Sequence, residues 1–148
     1  MTAARLRRAW AADLTTAQLY ELLRLRMEVF GVEQKCAYQD LDGRDLESDT
    51  RHFWITDGAG EMVAYLRLLA EPGGEFLIGR VVTAKTARRQ GLARRLLVAA
   101  LADIRDAPCV LNAQVYATPL YESVGFVVSG ARFLEDGIPH LPMRRAGR

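Results

Sequence analysis

Cysteine and histidine are scarce in this chain of 148 residues: it has Cys36, Cys109, His52 and His140 and no others. The two thiols lack metal-site spacing, which excludes a zinc cluster, and two are too few for a disulfide framework, so reduced thiols in a cytoplasm are expected. Long apolar runs are missing as well. The longest aliphatic run, Leu96 to Ala102, is far short of a bilayer span. The early arginines Arg5, Arg7 and Arg8 lead through Trp10 into Asp13 without the apolar core of an export signal. Excess charge is small, with a formal net of +2, which argues against a dedicated nucleic-acid binder. Neither a Walker lysine motif nor Gly-x-Gly-x-x-Gly occurs, and no internal repeat or low-complexity stretch appears. Asp40-Leu41-Asp42-Gly43-Arg44-Asp45 has the wrong residues for a calcium loop, since Arg44 and Asp45 stand where an oxygen ligand and a glycine belong.

What is present suits one domain spanning residues 1–148, with 50% hydrophobic residues for a core. Leu6 to Trp10 reads as a strand. The segment after Asp13 reads as a helix, opened by a capping box of Thr15 and Gln18, with Leu19, Leu22, Leu23, Met27 and Phe30 on its apolar face. From Val32 to Arg51 the pattern is irregular and acidic, predicting a long loop with one short helical turn. Glu33, Asp40, Asp42 and Asp45 in it are candidates for a cation-attracting mouth. Strand patterns follow at His52–Thr56 and Met62–Leu69, joined by the hairpin signal Asp57-Gly58-Ala59-Gly60. After the turn at Pro72-Gly73-Gly74 come a strand, Phe76–Thr83, a helix from about Gly91 to Ile104, and a strand, Val110–Gln114. These three predict a parallel β-α-β unit. Pro119 belongs near the start of a further helix. Phe126–Arg132 and His140–Arg145 read as closing strands around Asp136-Gly137-Ile138-Pro139.

The most informative stretch is Arg88-Arg89-Gln90-Gly91-Leu92-Ala93, between the strand and helix of that unit. The first N–H groups of a helix lack intrahelical acceptors and sit at the positive end of its dipole, so anions bind there. Gly91 permits unusual dihedrals and close backbone approach, Ala93 keeps the path clear, and Lys85, Arg88, Arg89, Arg94 and Arg95 supply charge. An ordinary loop with a solvated arginine face is the alternative for the fragment by itself.

The loop resembles the Arg/Gln-x-x-Gly-x-Gly/Ala fingerprint of the GNAT superfamily of N-acetyltransferases, with Arg88, Gly91 and Ala93 in the defined positions. Leu120-Tyr121-Glu122-Ser123-Val124-Gly125-Phe126 resembles the second signature of that family, a tyrosine-bearing helix ending in Gly-Phe. Val29–Gln34, Leu41–Asp45, Leu111–Gln114 and Phe133–His140 are similar to its ElaA-like branch, so the resemblance covers about Leu19 to Arg144.

The resemblance implies an α+β fold with a mixed, mostly antiparallel sheet, flanking helices and a central parallel β-α-β acyl-coenzyme A unit. It implies acetyl-coenzyme A as cosubstrate, no metal, and an amine-bearing small molecule or peptide as acceptor. Neither nucleic acid nor membrane is an expected partner; oligomeric state is left open, a homodimer included. The cofactor positions carried over are the backbone of Val81, Val82 and Thr83, the loop Arg88, Arg89, Gln90, Gly91, Leu92, Ala93 and Arg94, and Tyr121. Tyr121 is also the implied acid for the departing thiolate, its alternative role being to fill the core beside Phe126. Where the family often has asparagine seven places before this tyrosine, the chain has Gln114, and Asn112 is the nearest substitute. Glu33 and His140 both stand as candidate bases, since either can take a proton from an ammonium group. No Cys–His pair supports an acyl-cysteine route, which favours direct transfer. A catalytically silent acyl-coenzyme A-binding module is the alternative function, and an arginine-rich nucleic-acid binder a remoter one.

Overall fold

The computed structural model describes residues 4–147. Strand β1 (Arg5–Trp10) leads through a short turn into helix α1 (Thr16–Arg26). The start of α1 follows from the local sequence: the Thr15 hydroxyl accepts from the Gln18 N–H and the Gln18 side chain from the Thr15 N–H, both at 3.0 Å. The helix then widens into a π-helical segment, Met27–Glu33, where the loop expected from Val32 onward should begin. One 3-10 turn, Arg44–Leu46, interrupts the following stretch, matching the single short turn expected there.

Most of the expected apolar face of α1 is observed: Leu22 is buried, and Leu19, Leu23 and Phe30 pack against the core. Leu25, and Val29 just beyond the helix, join them there, whereas Met27 departs from the expectation at 55% exposure. Arg26, wholly buried, takes a core-facing position that a hydrophobic pattern does not reveal.

Strands β2 (Arg51–Thr56), β3 (Met62–Ala70) and β4 (Phe76–Thr83) form an antiparallel meander, the β2–β3 turn lying at Asp57–Gly60. Helix α2 (Leu92–Asp103) crosses to β5 (Cys109–Gln114), which lies parallel to β4. Helix α3 (Thr118–Glu122) follows, with Pro119 in its first turn. Strands β6 (Val127–Val128), β7 (Phe133–Glu135) and β8 (Ile138–Arg145) complete the sheet. Its order is β1-β2-β3-β4-β5-β8-β6, with β7 also pairing β8. The expected strand Phe126–Arg132 is thus reduced to two residues. Phe126 is instead a buried core side chain in edge contact with Tyr121, and β7 takes the hairpin with β8 through Asp136-Gly137.

Two cores sandwich the sheet. Leu92, Leu96, Leu97 and Ala100 of α2 pack with Phe53, Ile55, Ile78, Leu111 and Phe126. On the opposite face, Leu22, Leu25 and Val29 meet Trp54, Tyr65 and Val82. No helix among the described residues is long and apolar enough to cross a membrane.

The site arises where the sheet fails to close. β4 and β5 pair only at Phe76–Cys109 and Leu77–Val110. Beyond that point β4 bulges: Tyr65 to Arg67 on β3 spans two steps while Val82 to Gly79 on β4 spans three. Arg80 takes the extra step at φ +54°, a left-handed conformation costing about 1 kcal/mol or more for a residue with a side chain. Its guanidinium compensates, lying 2.8 Å from Asp40, donating to the Asp40 carbonyl at 3.1 Å and covering the Tyr38 ring at 5.3 Å.

Candidate active site

The divergence of β4 and β5 opens a cleft of about 650 Å³ that runs through the sheet. Of the residues singled out from sequence, Glu33, Asp42, Val81, Val82, Thr83, Arg88, Ala93, Asn112, Gln114, Tyr121 and His140 line it. Arg89, Gln90, Gly91, Leu92 and Arg94 do not. Leu92 is a core side chain, while Arg89, Gln90, Gly91 and Arg94 lie on the exposed rim beside α2.

At that rim the helix start is shaped for an anion. Gly91 is the N-cap of α2 at φ +72°, no side chain caps the helix, and a Cβ placed on Gly91 would meet nothing within 4 Å. The backbone therefore faces open space at the positive end of the dipole. Arg89, Arg94, Arg95 and Lys85 surround it without ion-pair partners among the described residues, so their charge is available to phosphates. This donor set fits a pyrophosphate.

Arg88, the first fingerprint residue, is committed elsewhere. Its Nε donates to the Thr83 carbonyl at 3.1 Å, and its Nη1 and Nη2 donate to the two Glu33 carboxylate oxygens at 2.6 and 2.7 Å. Glu33 is thus neither a free carboxylate nor part of an open acidic mouth: the hydrogen bonds and charge of Arg88 hold its carboxyl below the ordinary range.

The acidic-mouth expectation also fails at Asp40, Asp42 and Asp45, because each faces an arginine. Arg26 donates to Asp40 at 2.9 Å and to Asp45 at 2.6 Å. Arg67 takes both oxygens of Asp42, at 2.9 and 2.6 Å, and reaches Asp45 at 3.2 Å. With Arg80 on Asp40, three carboxylates are matched by three guanidinium groups. The segment is a neutral, cross-linked wall of the cleft. Arg67 and Arg80 were not singled out from sequence, yet each is an arginine set in an otherwise apolar strand, and that anomaly is the signal that could have found them.

Tyr121, on α3, is buried at 7% exposure, and its ring meets Phe126 edge-on with centroids 6.4 Å apart. Burial pushes its phenol above the ordinary value and the nearby Tyr116 adds to this, so the hydroxyl keeps its proton. Core filling and an active hydroxyl are therefore compatible in one residue. His140, at the cleft end of β8, is 8% exposed and lies opposite Gln114 in the β5–β8 register. Its Nδ1 lies 2.7 Å from the Ile138 carbonyl and must donate the ring proton there. In the neutral ring that tautomer places the lone pair on Nε2, which lies 3.5 Å from the Glu135 carboxylate. His52 is different: it is fully buried, with one ring nitrogen 2.7 Å from the Tyr65 hydroxyl and the other 2.9 Å from the Asp45 carbonyl.

Asn112 and Gln114 of β5 both line the cleft, and the Gln114 amide donates to the Gln34 side chain at 3.2 Å. Neither cysteine is poised as a nucleophile. Burial raises the Cys109 thiol to about 12, and burial with the Asp136 charge raises Cys36.

The comparisons with known proteins agree with this architecture. The acetyltransferase (GNAT) domain model matches residues 11–146. A UPF0039 protein of Mycobacterium tuberculosis is 56% identical over 145 residues, covering 96% of this chain and 93% of that one. The crystal structure of an acyl-CoA N-acyltransferase from Pseudomonas aeruginosa superposes with a TM-score of 0.89 at 45% identity, covering 97% and 100% of the two chains. That of Escherichia coli ElaA also gives 0.89, at 36% identity, covering 96% and 99%. A GNAT fold implies an acyl-coenzyme A cosubstrate, and a split parallel pair beside a glycine-headed helix is a physical means of holding one. The chain belongs to the GNAT acetyltransferase family, as an ElaA-like member.

Proposed function

We propose that the protein moves an acetyl group from acetyl-coenzyme A directly to a primary amine. The observation that carries the reading is the cleft between β4 and β5, which joins an anion-ready helix start at one end to Tyr121 and His140 on its walls. The loop from Arg88 to Arg94, with Leu92 and Ala93 contributing backbone N–H groups, holds the pyrophosphate, and the bulged edge Val81–Thr83 offers its backbone to the pantetheine arm. Asn112 supplies a polar contact from β5. Bound there, the thioester supplies an activated acyl carbonyl and a thiolate leaving group.

The chain's own residues manage the protons. His140 Nε2 accepts the proton that the acceptor amine gives up, which its Nδ1–H bond to Ile138 leaves it free to do. Glu33 is unsuited to that task while Arg88 occupies both its oxygens. Tyr121 gives its phenolic proton to the departing thiolate, and its raised pKa keeps that proton in place until negative charge develops. The raised thiol pKa values of Cys36 and Cys109 support direct transfer over an acyl-cysteine route, and their unpaired state fits a cytoplasmic setting.

The test is calorimetric titration with acetyl-coenzyme A, followed by measurement of thiol release over a panel of primary amines and amine-bearing peptides. Binding with amine-dependent thiol release is expected. Binding without release on any amine would favour a silent acyl-coenzyme A module.

A further inference from the structure

Glu33 and Gln34 close the π-helical segment Met27–Glu33, and each is tied to a different lip of the cleft. Glu33 takes the paired hydrogen bonds of Arg88, whose Nε holds Thr83, the last residue of β4. Gln34 accepts from Gln114, the last residue of β5. Consecutive residues thus bridge the two strand ends that the sheet leaves apart. Their own backbone is firmly seated, since the Gln34 N–H donates to the Val29 carbonyl and the Cys36 N–H to the Phe30 carbonyl, both at 2.9 Å. Phe30 on this segment and Gln34, Cys36 and Tyr38 just after it line the cleft, and Phe30 meets Tyr38 edge-on at 6.3 Å.

We propose that Glu33 and Gln34 are positioning residues, a two-armed clasp that fixes the Phe30–Tyr38 wall across the open end of the cleft and links that wall to the phosphate loop. The wall part stands on the geometry; the link to the loop rests on the acyltransferase reading. Charge gives the link a sign. While Glu33 neutralises Arg88, the first fingerprint arginine contributes little net attraction to a phosphate ligand, and the carboxylate itself repels one. Glu33→Gln releases the arginine and removes the repulsion, so cofactor binding strengthens while the wall loosens. Gln34→Ala cuts the other arm without changing charge near the loop. A residue that merely held the loop in shape would do the reverse and weaken cofactor binding when cut.

Backbone amide exchange of residues 27–38, with calorimetry using free coenzyme A at low and high salt, tests this on the wild-type chain, Glu33→Gln and Gln34→Ala. Exchange over 27–38 should rise about tenfold in each variant, with protection of β3 unchanged. The coenzyme A dissociation constant should fall about threefold in Glu33→Gln, less so at high salt, and stay level in Gln34→Ala. With an accepted amine, both variants should raise its KM more than they lower kcat. Unchanged exchange in both variants, or weaker coenzyme A binding by Glu33→Gln, would overturn the clasp. Failure of the wild type to bind coenzyme A would overturn the acyltransferase reading instead, and the exchange result would still decide the wall.

Discussion

Arg67 meets Asp42 end-on, with Nη1 on one carboxylate oxygen at 2.9 Å and Nη2 on the other at 2.6 Å, and the wholly buried Arg26 donates to the neighbouring Asp45 at 2.6 Å. Removing one partner of a buried pair strands the other's charge. Asp45→Ala should therefore lower the unfolding free energy by about 3 kcal/mol or more, read from urea denaturation near neutrality.

The same groups set the response to acid. Burial holds the neutral form of His52, so its folded pKa lies below its unfolded value; the stability this gives is full above about pH 6.5 and declines as pH falls from there. Asp42 is held down by its hydrogen bonds from Arg67. Asp45 is held down by Arg26 and Arg67 against the opposing effect of burial. Their contribution is complete above about pH 4 and is lost as pH falls further, through their folded values. Urea midpoints measured against pH should thus drop in two stages. His52→Gln should flatten the upper stage and Asp42→Asn the lower; identical profiles for wild type and both variants would refute the assignment.

Gly91→Glu places negative charge at the start of α2 and should weaken acetyl-coenzyme A binding by at least about tenfold in a folded variant. Gly91→Ala is the control. A Cβ there meets nothing within 4 Å, so only the strain of φ +72° remains, costing about 1 kcal/mol of stability. Calorimetric affinity should separate the two substitutions.

Tyr121→Phe keeps the edge contact with Phe126 and loses the hydroxyl. The expected result is a fall in kcat of about 10²-fold with acetyl-coenzyme A affinity retained. Turnover near wild type, where chemistry limits the rate, would assign the ring to packing.

His140→Gln should lower kcat by a similar factor of about 10², leaving the cofactor affinity in place. If kcat stays near wild type in this variant where chemistry limits the rate, His140 is not the base.

What the sequence makes legible here is local or strongly periodic. Thr15 and Gln18 announce the start of α1 because both partners of the capping box lie within one turn. The β4–α2–β5 unit is legible from apolar spacing and from Gly91 at its phosphate loop. The pairing of Arg26, Arg67 and Arg80 with Asp40, Asp42 and Asp45 is not, because partners 14 to 40 residues apart carry no common local pattern. A run of acids therefore looks like a solvated or substrate-facing mouth until the fold supplies its counter-charges. The same limit applies to Glu33, whose partner is 55 residues away. Near the other end, apolar Phe126 and Val127 suggest one long strand, but Phe126 is claimed by the core and only Val127–Val128 pair with β8.

The π-helical segment Met27–Glu33 has a consequence for how this scaffold can change. A widened turn contains the room of one inserted residue, and deleting one would restore α winding and rotate the downstream chain by about 100°. Such a deletion would swing Glu33 away from Arg88 and re-aim the cleft-facing side chains beyond it. The widened turn thus sets which side chains after it, among them Gln34, Cys36 and Tyr38, are presented to the cleft.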